Sequence, residues 1–571
     1  MFGLDATELA RAQFALNISF HILFPVITIG LAWVLLFFRI RYTRTRDCFE
    51  DFVKVIAVYR VWEATAFFDI REVALSLTEL AYLIDGWTLI NIGRSDTATN
   101  YRTYIGASTW YDSVNFRGWD DVVQGALVGQ AGVNFTISGS LGAELQNTSI
   151  TTQGGNVSVT GGYFGMGGAN QTITTNGGNV TLVTSGTLYG SGSGSSFSIS
   201  TSGGNISMGT IANGAPSGSS YTFNAGTGSL SFAGAVNTAA NINGTAASMS
   251  FVGAWGDTVA LGNVTLTATN SISLPAITTQ AGKTVSVTVT GAGNSITTTG
   301  AIATGAAGNI TLTADDLILG GNLSGTGTMT LQPYSTSRVM NVNNGTADGT
   351  NWNLSTTEVG YLVNGWGLIN IGRTDLNATL GIGASSWIDP VNFRSNQRKG
   401  INGNITATDN ASLTFTAGWV TIAGNYTMST TGGDFNAAGL SIATQDGGTI
   451  TTNGGNVTFG SLIVRPNTLA TFSINSGGGN ISIGTSIYED AASAAGKTLS
   501  FNAGAGSISF GTTVNTYANI TATAASISFG GAWGGTAALG NVTLTSTNAI
   551  SLPAITTAAG KTVSVTVTGA G

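Results

Sequence analysis

Most of this sequence predicts a mainly β fold, a parallel β-solenoid built on long tandem repeats, preceded by one N-terminal transmembrane α-helix. Three observations carry the solenoid. A unit of about 278 residues recurs along the chain. Inside it runs a shorter period of roughly 23 to 26 residues, the length of one β-helix coil. The composition joins 82 glycines and only 8% charged residues to 42% hydrophobic ones, including 11 Trp and 25 Phe. A Gly-rich, charge-poor chain without that apolar content would be disordered. With it, short strands and many turns can bury a core.

The first element is the apolar run Phe14 to Phe38, long enough to span a bilayer as a helix kinked at Pro25. Arg39, Arg41, Arg44 and Arg46 follow the run, whereas Arg11 stands almost alone before it. The positive-inside rule therefore places the N-terminus outside and everything after the run on the cytoplasmic side. The run lacks the basic start, short apolar core and small-residue cleavage site of a signal peptide. Leu9-Ala10-Arg11, Gln13-Phe14-Ala15-Leu16, Ser19-Phe20-His21-Ile22-Leu23-Phe24-Pro25 and Ile27-Thr28-Ile29-Gly30-Leu31-Ala32 together resemble the start of cytochrome bd quinol oxidase subunit I. The resemblance implies that His21 is an axial haem ligand and that the N-terminus is periplasmic. It ends near residue 70, and the further haem ligands and quinol loop of that family have no counterpart beyond it. Residues 1–72 thus form an oxidase-like segment, anchored to the membrane through residues 14–38.

The composition then changes abruptly to Gly/Thr/Asn strand sequence, and the repeats begin. Leu75-Ser76, Thr78-Glu79, Tyr82-Leu83 and Gly86-Trp87 recur as Leu354-Ser355, Thr357-Glu358, Tyr361-Leu362 and Gly365-Trp366. Leu89-Ile90-Asn91-Ile92-Gly93-Arg94 returns as Leu368-Ile369-Asn370-Ile371-Gly372-Arg373, and Val114-Asn115-Phe116-Arg117 as Val391-Asn392-Phe393-Arg394. The segment from Ala254-Trp255-Gly256 to Gly293 is nearly duplicated from Ala532-Trp533-Gly534 to Gly571. Residues 73–353 form the first repeat, and residues 354–571 a second, truncated one.

Within each repeat, Gly-Gly-Asn precedes an alternating strand, ending at Asn156, Asn179 and Asn205 and again at Asn456 and Asn480. Val, Ile, Thr and Phe at alternate positions turn one face inward. Gly and Asn tolerate positive φ and so make the corners. No helix follows these glycines and no Lys completes a P-loop, so turn geometry explains them better than phosphate binding.

Leu331-Gln332-Pro333-Tyr334, Leu354-Ser355-Thr356-Thr357-Glu358 and Ile369-Asn370-Ile371-Gly372-Arg373 resemble the repeats of filamentous haemagglutinin-like outer-membrane adhesins. That resemblance implies a right-handed parallel β-helix, secreted to the cell surface through a partner transporter and acting in attachment. It brings no binding residues. The family's N-terminal secretion domain is not visible, so normal export is not expected here.

Chemistry in the repeats is sparse. A net charge of −7 speaks against nucleic acid as a partner. One cysteine, Cys48, allows no intrachain disulfide, and the single histidine, His21, removes most His-based catalytic and metal sites. A polysaccharide lyase would need Lys, Arg and acids clustered on one solenoid face, and few charges are present to build it. Asp315-Asp316 reads as a solvated turn rather than a cation site, since no third acid lies nearby in sequence. Asn134-Phe135-Thr136 has the form of a glycosylation acceptor, a pattern frequent by chance in such a composition. Trp87, Trp255, Trp366 and Trp533 suit either stacking on sugars or packing.

The expected function is that of a non-catalytic surface protein of the bacterial cell envelope. It attaches to glycans, matrix or other cells, with no cofactor for the solenoid and no catalytic or metal residues. The alternative makes the chain a fragment or chimera of cytochrome bd subunit I, passing electrons from quinol to oxygen with haem at His21.

Overall fold

Alternating side chains and glycine corners produce stacked coils of short parallel strands in the computed structural model. It describes residues 65–68, 85–93, 102–182, 188–190, 195–212, 217–345, 349–465, 471–489 and 495–569. The expected membrane helix at 14–38, His21 and the boundary at 72/73 lie outside the described residues. Among the described residues no helix is long and apolar enough to cross a membrane. The chain divides into two compact units, Met1–Thr187 and Leu188–Gly571.

In the first unit, strands Leu89–Gly93, Val114–Val123, Phe135–Gln146, Val157–Thr160 and Val180–Leu182 stack in parallel. Their register sets Ile90, Val114, Phe135, Val157 and Val180 in one column. Ile92, Phe116, Ile137, Val159 and Leu182 form the next inward column, two residues along. All ten are buried. Each contributes roughly 1.5–3 kcal/mol of apolar transfer, offset by the entropy of ordering the chain.

The second unit continues the same principle. One column runs through Ile199, Phe223, Gly244, Leu266, Val287, Leu312, Leu331, Ile371, Phe393 and Phe415, each beside the next across a parallel ladder. A single short helix, Thr356–Gly360, interrupts the described strands. In the sequence Ser355 and Glu358 mark the repeat and the adhesin resemblance; in the fold they have a local task as well. They are a capping box, in which the Ser355 side chain accepts from the Glu358 N–H and the Glu358 side chain accepts from the Ser355 N–H.

The Gly-Gly-Asn corners are turns, and each residue has a separate task. The preceding Thr152 and Thr452 hydroxyls donate to the carbonyls of Gly155 and Gly455, closing the corner. The first glycine supplies the left-handed backbone: Gly177 has φ of 116°. The second permits close stacking, because a Cβ on Gly178 would sit 2.0 Å from the Gly155 carbonyl oxygen of the coil before. The asparagine then bridges coils. Asn134 Oδ1 accepts from the Asn156 N–H at 2.7 Å, and Asn156 Oδ1 from the Asn179 N–H at 2.7 Å. The second repeat repeats the ladder, with Asp434 to Asn456 at 2.7 Å and Asn456 to Asn480 at 3.0 Å.

Because the Gly178 contact is backbone against backbone, no side-chain rotation relieves it. Gly178→Ala is expected to cost roughly 1–3 kcal/mol. Loss of hydrogen-exchange protection should centre on the strands at 157–160 and 180–182. Unchanged protection there would refute the close-stacking account.

Candidate binding face

The residues singled out in the sequence mostly hold coils together. Trp255, Trp366 and Trp533 are 1%, 2% and 1% exposed, so they pack rather than offer a stacking surface, while Trp87 is half-buried. Trp255 lies edge-on to Phe232 and Phe251, with ring centroids 5.1 and 4.9 Å away, and Trp533 repeats this with Phe510 and Phe529 at 4.9 and 5.1 Å. The Asn134 side chain is engaged in the ladder through Asn156 and also donates to the Ser113 hydroxyl at 3.2 Å.

The Asp315-Asp316 pair is not a solvated turn. Asp315 is buried, and its carboxylate accepts from the Gly293 N–H at 3.0 Å, the Ser335 N–H at 2.6 Å and the Ser335 hydroxyl. Burial works against its charge, but the Ser335 and Gly293 hydrogen bonds outweigh it and hold the carboxyl below its usual value. The Arg338 Nε donates to its carbonyl at 2.9 Å. Asp315 is therefore a staple between coils.

A different cluster lies on the outward face of the first unit, where four strands lie side by side. The register aligns Arg102, Asp120, Gly142 and Tyr163 in one row, and Tyr104, Val122, Glu144 and Gly165 in the next. Arg102 Nε lies 2.8 Å from Asp120 Oδ2, and the Tyr163 hydroxyl donates to Asp120 Oδ1 at 2.7 Å. Tyr163 is two strands from Asp120 and reaches it across Gly142, where a Cβ would fall 2.5 Å from the tyrosine ring. Burial and the bond to Asp120 push the Tyr163 hydroxyl up, so it stays a donor. Tyr104, beside Arg102, is 60% exposed. Gln124 and Gln146 flank the cluster, their side chains bonded at 3.1 Å.

Sequence reading missed this face because its members are scattered from position 102 to 163. The coil period was the one signal able to find it, since 122 and 144 stand one coil apart and 120 and 163 two.

Inward from the same strand points Asp121, fully buried beside Thr103. Neither carboxylate oxygen is satisfied with good geometry among the described residues. Burial raises its pKa to about 7, with the Thr103 hydroxyl opposing and the Asp120 charge assisting.

The second repeat places other residues in this register. Lys399 aligns with Leu380 as Asp121 aligns with Thr103. Its ammonium donates to the carbonyls of Ser395 at 2.9 Å, Thr416 at 3.3 Å and Ala417, while burial lowers its pKa to about 8. The outward positions change as well: Arg102, Tyr104, Asp120, Gly142 and Glu144 correspond to Thr379, Gly381, Arg398, Trp419 and Thr421. By contrast, 254–293 and 532–571 differ only at Asp257/Gly535, Val259/Ala537, Ala268/Ser546, Ser271/Ala549 and Gln280/Ala558.

Fold and face together define a repeat-rich parallel β-solenoid with a variable outer surface. Comparison with known families matches residues 9–66 to cytochrome bd terminal oxidase subunit I, which agrees with the resemblance of the N-terminal segment and leaves the solenoid outside the match. No curated protein and no solved structure matches the chain. Among the described residues no group of three or more His, Cys, Asp or Glu could hold a metal ion.

Proposed function

We propose that the chain is a non-catalytic, repeat-rich surface protein of the bacterial envelope that mediates attachment to glycans, matrix or other cells. One observation carries this reading: the two repeats keep the columns Ile90/Ile369, Ile92/Ile371, Val114/Val391 and Phe116/Phe393 but carry different side chains around the strand at 102–105, where the exposed Tyr104 becomes Gly381 and the positions of Asp120 and Glu144 become Arg398 and Thr421. A repeated scaffold that tolerates different side chains on its surface is suited to presenting recognition surfaces. The adhesin-like repeats point the same way. The N-terminal segment anchors the chain to the membrane, and the charge pattern around residues 14–38 sets the solenoid on the cytoplasmic side, opposite to the side an attachment protein works from, so attachment requires that the solenoid reach the surface by another route.

The second reading is favoured by the match at 9–66 and makes the chain a fragment or chimera of the oxidase subunit, with His21 as a haem ligand. In membranes containing the chain, a haem absorbance band lost in His21→Ala supports this reading. Adhesion of cells to surfaces coated with the purified chain supports the first. Coated surfaces that retain no more cells than bare ones would overturn attachment.

A further inference from the structure

We propose that the outward face around Arg102, Tyr104, Glu144 and Tyr163, held from beneath by the buried Asp120, binds an uncharged oligosaccharide laid along the stacked strands, with one sugar ring on Tyr104. This rests on the attachment reading and supplies its ligand class. The tryptophans that offered stacking in the sequence are three-quarters accounted for by burial, whereas Tyr104 presents a 60% exposed ring on the strand Arg102–Ile105, paired with Val114–Val123. Such a ring packs on the C–H face of a pyranose, and neighbouring polar groups bond its hydroxyls.

Those groups are already held in place. Asp120 fixes both Arg102 and Tyr163, at 2.8 and 2.7 Å, so little side-chain freedom is lost on binding. Glu144 lies one strand along from Val122 in the Tyr104 row and adds a strong acceptor. The Gln124–Gln146 pair borders the same face. Adjacent strands are about 4.8 Å apart, close to the length of one pyranose in an extended chain. An oligosaccharide running along the coil axis therefore meets each strand with successive rings.

Charge selects among sugars. Arg102 is matched by Asp120, and Glu144 leaves the face with a net negative charge. A sulfated or uronic-acid chain is repelled, and a neutral one is not. The same positions in the second repeat, Gly381, Arg398 and Thr421, lack both the tyrosine and the carboxylates, which confines this site to the first repeat.

The test is calorimetric titration of the full chain with neutral gluco-, galacto- and manno-configured hexasaccharides and with a heparin hexasaccharide. At least one neutral sugar should bind. Tyr104→Ala should weaken it about tenfold or more, and Tyr111→Ala, whose ring is 61% exposed elsewhere, should leave it unchanged. Glu144→Gln should also weaken it while preserving the fold. No binding by any neutral sugar, tighter binding of heparin, or full affinity in Tyr104→Ala would each overturn the proposal. A Tyr104→Ala chain that loses the sugar yet attaches cells unchanged overturns this site's part in attachment and leaves the attachment reading standing. Sugar binding without attachment sinks the attachment reading alone.

Discussion

Trp255→Ala should destabilise its part of the solenoid by about 3–5 kcal/mol, the usual cost of emptying a large buried aromatic site. The ring is 1% exposed and contacts Phe232 and Phe251 edge-on, and its backbone bridges Val236 and Ile277 on either side. Parallel ladders on both sides limit collapse into the space. Because each coil contacts chiefly its neighbours, the loss should be local rather than a uniform shift in melting. Hydrogen exchange should quicken around 229–278 while strands such as Val391–Arg394 stay protected. Trp533→Ala provides the matched experiment, since Trp533 meets Phe510 and Phe529 in the same way. Unaltered exchange in both variants would contradict the packing role.

The second large effect is a dependence of the first unit on pH. The Asp121 carboxyl is held near 7, well above its ordinary 3.8, so the folded state binds its proton more tightly than the unfolded state. The stability this confers is complete below about pH 4 and is lost as the pH rises through 7. The shift is worth at most about 4 kcal/mol. Arg102, Thr103, Tyr104, Arg117, Asp120 and Glu144 are among the polar groups on its own strand and the strands packed around it, and Asp120 sharpens the effect by repulsion. Asp121→Asn should remove most of the dependence and raise stability at pH 8 relative to the parent. Urea unfolding at pH 5 and pH 8 measures this directly. A parent more stable at pH 8 than at pH 5, by an amount Asp121→Asn abolishes, would reverse the sign and refute the account.

The fold was legible in the sequence because its signals are periodic. Alternation in Val157–Thr160 and Val180–Leu182 and the recurring glycines at 177–178 and 454–455 each report a local requirement repeated many times. The roles inside the corner were less legible: that Asn134, Asn156 and Asn179 form a ladder depends on which backbone N–H the next coil presents. The helix at Thr356–Gly360 was missed because its capping box coincides with a repeat marker. Asp315 misled, since its partners Gly293 and Ser335 lie a coil away on either side. The binding face was least legible of all. Arg102, Asp120 and Tyr163 share no local motif, and only the register of four strands brings them together.

The near-identity of 254–293 and 532–571 extends to the ladders, where Val264–Ala268 pairs with Thr284–Val289 as Val542–Ser546 pairs with Val563–Val567. Where their coding sequences are as alike as their residues, two such stretches are natural partners for unequal crossing-over. An exchange between them adds or deletes one whole repeat and leaves the hydrogen-bond columns in phase across the junction. The length of such a solenoid could thus change by one repeat in a single step without a new fold having to be found.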